Sequence, residues 1–469
     1  MTTANGLMNP AASSEPPARR PLKERILRAG GWTMFAYGCT LVLRLGNSLI
    51  LTRLLVPEVF GLIAIMMTIA TVATLLSDIG IRQAIVHSKH GDEPLMLNTA
   101  WTMQILRGVL VWSVCALAAL GLHLARQAGW LTAGSVYAAP ELPLILALGT
   151  LSTVVLGFES TKRYTADRRI EQKRVVLIDL ASMFIATAVS IVLAWHLRSV
   201  WALIIGGLIG TLCSVAAGHL WLHGHPNRLA WDRGFARQIF GFGKWILASS
   251  LLYVLAVNGD KLLLGVWVAP AVLGCYAIAQ SLAQVLEMAV GRVFNQVAAP
   301  AFADLIGHSP HRLREVYLRM RLPFDLLFIS AAGFLFAIGP WLVGVMYDPR
   351  YAQSGAILQI LSFVLIFARY GVSTSAYLAL QVPHAQAVMN LVRIVAFCVA
   401  VPVAYEVFGV QGAFWSIALH PVAIMPVVWW FDRRFGIASW RHELFTLAVW
   451  PVGYAAGYAF VAAATWAVR

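Results

Sequence analysis

Charged residues are scarce in this chain, and their scarcity excludes an ordinary water-soluble protein. Only 12% of the 469 residues are Asp, Glu, Lys or Arg, whereas 59% are hydrophobic. Soluble domains contain about 25% charged residues, so this chain has too few to cover a water-facing surface. Apolar runs of about 20 residues, long enough to span a bilayer, recur along nearly the whole chain. They must be helices, because the bilayer offers backbone groups no water, and no alternating strand pattern of the barrel type occurs.

Cysteine is also rare, and its distribution argues against a metal or redox centre. The chain has five cysteines, all inside apolar runs: Cys39, Cys115, Cys213, Cys275 and Cys398. None has the spacing of a zinc or redox motif, and no disulfide framework can be argued from them. We expect small core residues instead. His223 and His225 likewise lack the cysteine or carboxylate neighbours that a metal site needs.

An internal repeat organises the chain. Residues 30–70 align without a gap with residues 243–283, at a constant offset of 213 positions. Identical pairs include Gly46 with Gly259, Pro57 with Pro270, and Gly61 with Gly274. Each copy contains an apolar span, a short turn with proline, and a second apolar span. Such an offset predicts a structural repeat, and in membrane transporters paired repeats flank a central transport site.

Hydropathy predicts thirteen helical spans. They lie near residues 31–52, 58–79, 99–123, 141–160, 175–196, 200–222, 239–266, 271–297, 322–346, 354–380, 386–406, 410–430 and 444–467. We expect an all-α polytopic membrane protein with two pseudo-symmetric six-helix lobes around a central cavity, plus an extra C-terminal helix. The predicted units are a flexible cytoplasmic tail (1–25), an N-lobe (26–222), a cytoplasmic connector (223–238), a C-lobe (239–430), and a cytoplasmic loop with the thirteenth helix (431–469).

The formal net charge of +14 reflects the distribution of Lys and Arg among the connectors. With the N-terminus in the cytoplasm, the inside segments hold 24 Lys and Arg residues and the outside segments hold 5. This bias follows the positive-inside rule and predicts that orientation. Because the basic residues are spread over short loops, the pattern excludes nucleic-acid binding. The same loops can contact anionic lipid headgroups.

Six basic residues remain inside the predicted spans, where a buried cation costs about 2.5–3.5 kcal/mol. Polar residues accompany them on shared helix faces: Thr71, Thr74 and Asp78 lie at i, i+3 and i+7, and Arg44 lies beside Asn47. Helix–helix hydrogen bonding, worth about 0.6 kcal/mol per contact, is the simpler interpretation. We favour a hydrophilic cavity between the lobes. Its candidate substrate-binding residues are Arg44, Asn47, Asp78, Arg107, Asn258, Asp260, Lys261, Gln284, Glu287, Arg292, Arg369 and Arg393.

The cations of this set fit an anionic ligand, because Arg binds phosphate in a bidentate manner. The neighbouring Asn, Gln and Thr side chains suit a hydroxyl-rich sugar. Three acidic residues have a different interpretation, because they lie near cytoplasmic ends of spans. Asp179 and Asp325 are expected to be interfacial or capping residues, and Glu159 to be structural.

Four stretches carry a family resemblance. They are residues 54–62 (LLVPEVFGL); residues 77–86 (SDIGIRQAIV) with 97–101 (LNTAW); residues 258–265 (NGDKLLLG) with 273–279 (LGCYAIA); and residues 299–302 (APAF) with 313–317 (LREVY). In this order they resemble the polysaccharide-transporter branch of the multidrug/oligosaccharidyl-lipid/polysaccharide exporter superfamily, the Wzx-type oligosaccharide flippases. The resemblance extends over about residues 25–430.

The resemblance implies a transporter without enzymatic chemistry or cofactor, located in the bacterial inner membrane. It implies alternating access of a cavity that carries an undecaprenyl-diphosphate-linked glycan to the periplasmic leaflet, for O-antigen, capsule or exopolysaccharide biosynthesis. The nearest candidates for a cationic lumen are Arg44, Arg292 and Arg369, and the basic loop 162–174 is an alternative contact for the diphosphate. Coupling to H⁺, Na⁺ or the membrane potential stays open. The expected partners are membrane lipids, a polysaccharide polymerase and chain-length machinery.

Two other functions compete with this one. A drug exporter of the related cation-antiporter type favours an acidic cavity, and the six basic residues inside the spans argue against it. A membrane polysaccharide polymerase or ligase typically needs a large periplasmic loop with catalytic residues. The longest outside loop predicted here, near residues 125–140, offers only Arg126, Tyr137 and little else that can react.

Overall fold

All regular structure in the described part of the chain is helical in the computed structural model. The structure describes residues 22–288, 313–437 and 439–467; of residues 22–30, 33, 242–257, 313, 383, 440 and 467 it describes the backbone alone. The α-helices in order are α1 (Leu22–Leu54), α2 (Pro57–Leu76), α3 (Ile81–His87), α4 (Pro94–Gln127), α5 (Leu142–Gly149), α6 (Leu151–Gly157), α7 (Lys162–Arg168), α8 (Gln172–Leu197), α9 (Trp201–Trp221), α10 (Arg233–Trp267), α11 (Pro270–Met288), α12 (Leu313–Met346), α13 (Gln353–Leu361), α14 (Val364–Ala368), α15 (Gly371–Ala379), α16 (Pro383–Leu419), α17 (Met425–Arg434), α18 (Trp440–Leu447) and α19 (Trp450–Ala467). Among the described residues, short 3₁₀ helices lie at Val136–Ala138, Pro349–Tyr351 and His420–Ile424.

These helices make the chain a multi-pass membrane protein, as predicted. Within the described ranges, ten helical stretches are long and apolar enough to cross a membrane, or eleven if a bent pair counts as one span. The bent pair joins Leu142–Gly157, which lies within the predicted fourth span (141–160), to Lys162–Arg168 of the predicted basic loop, at an angle of 62°. The stretch Arg441–Trp466 is among the ten, so the predicted thirteenth span has the required length and composition.

Proline begins the second helix of each repeat copy. α2 starts at Pro57 and α11 starts at Pro270. Proline suits the first position of a helix, because its missing N–H would have no helical partner there and its φ is already helical. Glu58 in the first turn of α2 adds a favourable charge at the positive end of the helix dipole. The short turn of both copies is therefore built in the same way.

The two repeat copies meet each other at these helices. A Cβ added to Gly61 would lie 2.0 Å from the carbonyl oxygen of Pro270, and one added to Gly274 would lie 1.9 Å from that of Pro57. The glycine of each copy thus packs on the proline of the other, as a two-fold relation between copies requires at its axis. Only glycine permits this approach of two backbones. Pseudo-symmetry over the whole lobes stays a prediction.

Further contacts between the two halves lie at the same end of the bundle. The Tyr351 hydroxyl donates to the carbonyl of Leu55 at 2.8 Å, and the Arg350 guanidinium donates to the carbonyl of Arg53 at 3.1 Å. The Tyr137 hydroxyl donates to a carbonyl of α10 at 3.0 Å. We call residues 48–61, 136–137, 262–276 and 347–351 the closed end. It includes Arg53 and Arg350, which the sequence assigns to the outside; the sequence assigns most Lys and Arg residues of the connectors to the opposite side.

Candidate functional site

A buried carboxylate lies where α10 packs on α11. Asp260 is 8% exposed and accepts hydrogen bonds from the Tyr276 hydroxyl, the Gln280 amide at 2.6 Å and the Lys261 backbone N–H at 2.8 Å. Both side-chain donors belong to α11, one helical turn apart, so they face α10 together. Lys261 and Asn258 flank Asp260 on α10 and are half-buried. The structure therefore brings three predicted site residues together around one polar junction.

The polar face of α11 continues along the helix. Gln284 and Glu287 follow Gln280 at i+4 and i+7, which places all three on one face. Both are half-buried, and Arg393 of α16 lies close enough to Glu287 for an electrostatic interaction. The Nε of Arg393 is also 3.4 Å from Nε2 of His420. A cation of one helix and a carboxylate of another thus face the same region of the second half.

In the first half, Arg107 of α4 reaches the C-terminal end of α2. Its guanidinium donates to the Thr74 carbonyl at 2.8 Å and to the Ser77 hydroxyl at 3.2 Å, and it lies 3.6 Å from the Asp78 carboxylate. A cation at a helix C-terminus stabilises the exposed carbonyls and the negative end of the dipole. Arg107 and Asp78 therefore meet, as a shared site requires, but Arg107 also caps α2.

Two predicted residues lie on α1. The side chain of Arg44 is exposed, and Asn47 is half-buried one turn later. The Oδ1 atom of Asn47 is buried without a hydrogen-bond partner among the described residues. Unpartnered buried polar atoms are uncommon, so this atom is a candidate contact for a bound molecule. Arg292 lies outside the described residues, and its assignment stays a prediction.

Arg369 lies inside the second half and is fully buried. Its guanidinium donates to Glu443 at 2.6 Å, to Thr446 at 3.0 Å and to the Tyr370 hydroxyl at 3.1 Å. It also lies 3.7 Å from the Asp325 carboxylate. These partners belong to α12, α18 and the Arg369–Tyr370 segment itself, not to the α10–α11 junction. In this structure Arg369 is thus a paired core residue, and its assignment to the substrate site stays a prediction.

A second buried arginine, which the sequence placed in a connector, joins the same cluster. Arg321 is 2% exposed within α12 and pairs with Asp325 at 3.1 Å, with Asp432 at 3.6 Å and with Glu443. Asp325 is fully buried, so its interpretation as an interfacial cap does not describe this structure. The i, i+4 spacing of Arg321 and Asp325 was the available sequence signal for this pair.

The basic loop 162–174 is largely engaged within the first half. Arg163 pairs with Glu159 and Asp179, which raises the pKa of its guanidinium, and Arg168 donates to the carbonyls at the end of α3. Arg168 and Arg169 both pair with Asp92, at 3.2 and 3.0 Å. These groups pin α7 to neighbouring loops. The loop is therefore a weaker candidate for the diphosphate than the residues on α1, α10 and α11.

The arrangement can bind an anionic, hydroxyl-rich molecule, since it combines cations with carboxylate and amide acceptors. No group of three or more His, Cys, Asp or Glu residues in the described part of the chain is arranged to hold a metal ion.

The fold defines the class of protein. It is similar to the inward-facing conformation of a MATE family multidrug resistance transporter of the MOP superfamily, with TM-score 0.64, 13% identity, and coverage of 84% of this chain and 94% of that chain. It is also similar to the lipid II flippase MurJ in an inward closed conformation, with TM-score 0.61, 11% identity, and coverage of 94% of this chain and 100% of that chain. At these identities the similarity shows the fold alone, a bundle of membrane helices.

The family is identified by sequence. A family model described as "Polysaccharide biosynthesis protein" matches residues 50–355, and the chain belongs to that family. It is 22% identical over 452 residues to the lipopolysaccharide biosynthesis protein WzxC of Escherichia coli K12, covering 93% of this chain and 88% of WzxC. It is also 28% identical over 239 residues to the amylovoran biosynthesis protein AmsL of Erwinia amylovora, covering 49% of this chain and 59% of AmsL. The resemblance predicted from the sequence is confirmed.

Proposed function

We propose that this protein is a flippase that moves a polyprenyl-diphosphate-linked oligosaccharide across the bacterial inner membrane, for surface polysaccharide biosynthesis. The proposal rests mainly on one observation: the chain belongs to the polysaccharide biosynthesis protein family and has a fold similar to that of a MATE family transporter. The names of its relatives support it: WzxC acts in lipopolysaccharide biosynthesis, ExoT of Rhizobium meliloti is a succinoglycan biosynthesis transport protein, and MurJ is a lipid II flippase. The protein then acts as a transporter and not as an enzyme.

In this proposal the cations of the two halves bind the diphosphate. Arg44 of α1 is exposed, and Arg393 of α16 is half-buried beside the polar face of α11. Arg suits this role because its planar fork forms two parallel hydrogen bonds with a phosphate. Asp260, Glu287 and Gln284 accept hydrogen bonds from sugar hydroxyls. The lipid tail stays in the bilayer while the polar headgroup crosses between the lobes.

The closed end suggests the direction of entry. We infer that the end rich in Lys and Arg faces the cytoplasm, with the N-terminus on that side, because cytoplasmic loops carry an excess of basic residues. The contacts of Tyr351, Arg350 and Tyr137 then close the periplasmic side. The headgroup enters from the cytoplasm, and a second state separates the closed end to release it. An ion gradient or the membrane potential drives the cycle.

Reconstituted transport tests the proposal. The protein is placed in liposomes with a fluorescent polyprenyl-diphosphate oligosaccharide, and the fraction of headgroup that reaches the opposite leaflet is measured by an impermeant quencher. We expect Arg44→Gln and Arg393→Gln each to lower transport on the order of tenfold, since a charged hydrogen bond contributes about 1.5–3 kcal/mol. Arg237→Gln is the matched control, because Arg237 is an exposed residue of α10. Absence of transport by the unmodified protein would refute the proposal.

Drug export is the second candidate, because a MATE family multidrug resistance transporter shares the fold. The two functions differ in the charge they need. Reversal of charge at Arg44 by Arg44→Glu should abolish glycan transport, whereas export of a cationic drug should be unchanged or improved. Transport of a cationic dye that rises in Arg44→Glu, together with no glycan transport by the unmodified protein, would favour the exporter.

A further inference from the structure

A groove on the surface of the second half lies between the start of α16 and α17. Its volume is about 600 Å³, which is within the range of small-molecule sites. α16 contributes His384 and Val388, which are one helical turn apart, and α17 contributes Val427, Trp430 and Arg434. The three residues of α17 recur at i, i+3 and i+7, which places them on one face of the helix. The groove is therefore formed by two helices that pack on each other.

The groove has one polar end, and the rest of its lining is apolar. The rings of His384 and Phe431 lie 5.9 Å apart, so the start of α16 lies beside the last turn of α17. His384 and Arg434 are thus at the same end, whereas Val388 and Val427 line the part farther from it. A ligand that fits this lining is amphipathic, with a polar group at the first end and an apolar chain along the rest.

The polar end is held in place by two stacked pairs. The guanidinium of Arg434 lies 5.5 Å from the centre of the Trp430 ring, and that of Arg433 lies 4.4 Å from the centre of the Trp429 ring. Both pairs have i, i+4 spacing, so each arginine reaches the aromatic face one turn earlier on the same helix. A cation over an aromatic face is attracted to it, which restricts the positions that the guanidinium adopts.

Neither of these arginines is neutralised by a carboxylate in the described part of the chain. The acidic residue between the two tryptophans and the two arginines, Asp432, is buried and accepts hydrogen bonds from the hydroxyls of Tyr317 and Tyr377. Arg433 and Arg434 are exposed. The arginines of the basic loop differ, because they are paired with carboxylates of the first half. Two uncompensated positive charges therefore lie at the polar end of the groove.

The groove lies at the membrane surface opposite the closed end. The Tyr317 hydroxyl donates to Asp432 at 3.1 Å, so the last turn of α17 lies beside the start of α12, whereas the end of α12 at Met346 adjoins the closed end. The helix between Tyr317 and Met346 spans about 43 Å, which exceeds a hydrocarbon core of about 30 Å. Trp429 and Trp430 are 47% and 54% exposed, as is typical of tryptophan at headgroup level.

We propose that this groove binds one anionic phospholipid, with its phosphate at Arg433 and Arg434 and an acyl chain along Val388 and Val427. The planar fork of arginine forms two parallel hydrogen bonds with a phosphate, and basic pockets between membrane helices bind anionic headgroups. A zwitterionic phospholipid carries an ammonium group, which the two guanidinium groups repel. A free phosphate lacks the chain that covers the apolar wall. The proposal is independent of the flippase function, since it concerns only this surface of α16 and α17.

Native mass spectrometry of the purified, lipid-free chain in detergent tests the proposal. Phosphatidylglycerol and phosphatidylethanolamine with identical acyl chains are added in turn, and the affinity of the first bound lipid is measured. We expect phosphatidylglycerol to bind on the order of tenfold more tightly, and Arg434→Gln to remove most of that difference. Val388→Asn should weaken both lipids alike, because it changes only the apolar wall. Arg237→Gln is the matched control, since Arg237 is an exposed arginine of α10, and should keep both affinities.

The other occupants of the groove are distinguished in the same measurement. Equal affinity for the two lipids, or no bound phosphatidylglycerol, would overturn the proposal. Displacement of the lipid by an equal concentration of glycerol phosphate would show a site for phosphate alone, and displacement by polyprenyl phosphate would assign the groove to a polyprenyl lipid; either result also overturns it. The melting temperature of lipid-free Arg434→Gln should equal that of Arg237→Gln, and an unchanged preference for phosphatidylglycerol in Arg434→Gln would refute the role of this arginine.

Discussion

The reciprocal contact between the repeat copies makes a quantitative prediction about the closed end. In Gly274→Ala the new methyl group would lie 1.9 Å from the carbonyl oxygen of Pro57, and in Gly61→Ala it would lie 2.0 Å from that of Pro270. Both neighbours are backbone atoms and cannot rotate away. The two helices must separate by roughly 1.5 Å to restore an ordinary contact of about 3.5 Å.

The energetic consequence follows from the cost of overpacking, which is about 1–3 kcal/mol. If the penalty is confined to the conformation with the closed end, the equilibrium between that conformation and an opened one shifts by about 5- to 150-fold. Each single substitution should have a similar effect, because the two contacts are related by the repeat. The double variant should not double the penalty, since one separation of α2 and α11 relieves both contacts.

Distances between spin labels can measure this shift. Labels at Arg53 and Val345, both exposed near the closed end, report its separation in a background with the five cysteines replaced. We expect a longer distance to appear in Gly61→Ala and Gly274→Ala. Gly46→Ala is the matched control, because its added Cβ meets nothing within 4 Å. A distance distribution and a melting temperature equal to those of Gly46→Ala in both variants would refute the predicted clash.

Three further predictions concern charge and burial. In a denaturation measurement, Glu443→Gln should lower the free energy of unfolding by about 3 kcal/mol, because Arg321 and Arg369 both lose their shared carboxylate. Glu406→Gln, at an exposed position, is the control and should change the free energy of unfolding little. Burial raises the pKa of Tyr137 from 10.0 to about 12. The stability that this residue contributes therefore falls as pH rises above 10. An ultraviolet titration of the unmodified protein, compared with that of Tyr137→Phe, should show no tyrosinate signal from Tyr137 at pH 10. Hydrogen bonds from Arg350 lower the pKa of Asp348. The pair therefore adds stability that is lost only as pH falls below about 4. Asp348→Asn should leave the slope of unfolding free energy against pH unchanged between about pH 5 and 8.

The helical architecture was predictable because its causes are local. Apolar runs of membrane-spanning length define the helices, and Pro57 and Pro270 mark where the second helix of each repeat copy begins. The shared face of Gln284 and Glu287 on α11 was also predictable, since residues about one turn apart on a helix share a face. The bend between Gly157 and Lys162 lies at the predicted end of the fourth span, where the basic loop begins.

The buried ion pairs of Arg321 and Arg369 were not predictable in the same way. Arg321 and its partner Glu443 are 122 positions apart, and no local pattern links them. Arg321 follows other basic residues, so it resembled one more connector cation, although α12 begins at Leu313 and already encloses it. Arg369 was recognised as an intramembrane cation, but its partners come from helices whose packing only the tertiary structure reveals. Side chains that pair across a fold carry no signal in the spacing of either partner.

The position of α18 has a practical consequence for mapping the topology of this protein. Reporter fusions truncate the chain at successive loops, and a fusion point in the turn after Arg434 is an obvious choice. A chain that ends there lacks Glu443, the carboxylate that accepts hydrogen bonds from Arg321 and Arg369. Arg321 and Arg369 would then keep only Asp325 and Asp432 as acidic partners, and the preceding spans would be destabilised. A reporter can instead be inserted into that turn without truncation, so that the last helices stay in place. It then shows on which side of the membrane the turn lies in the intact fold.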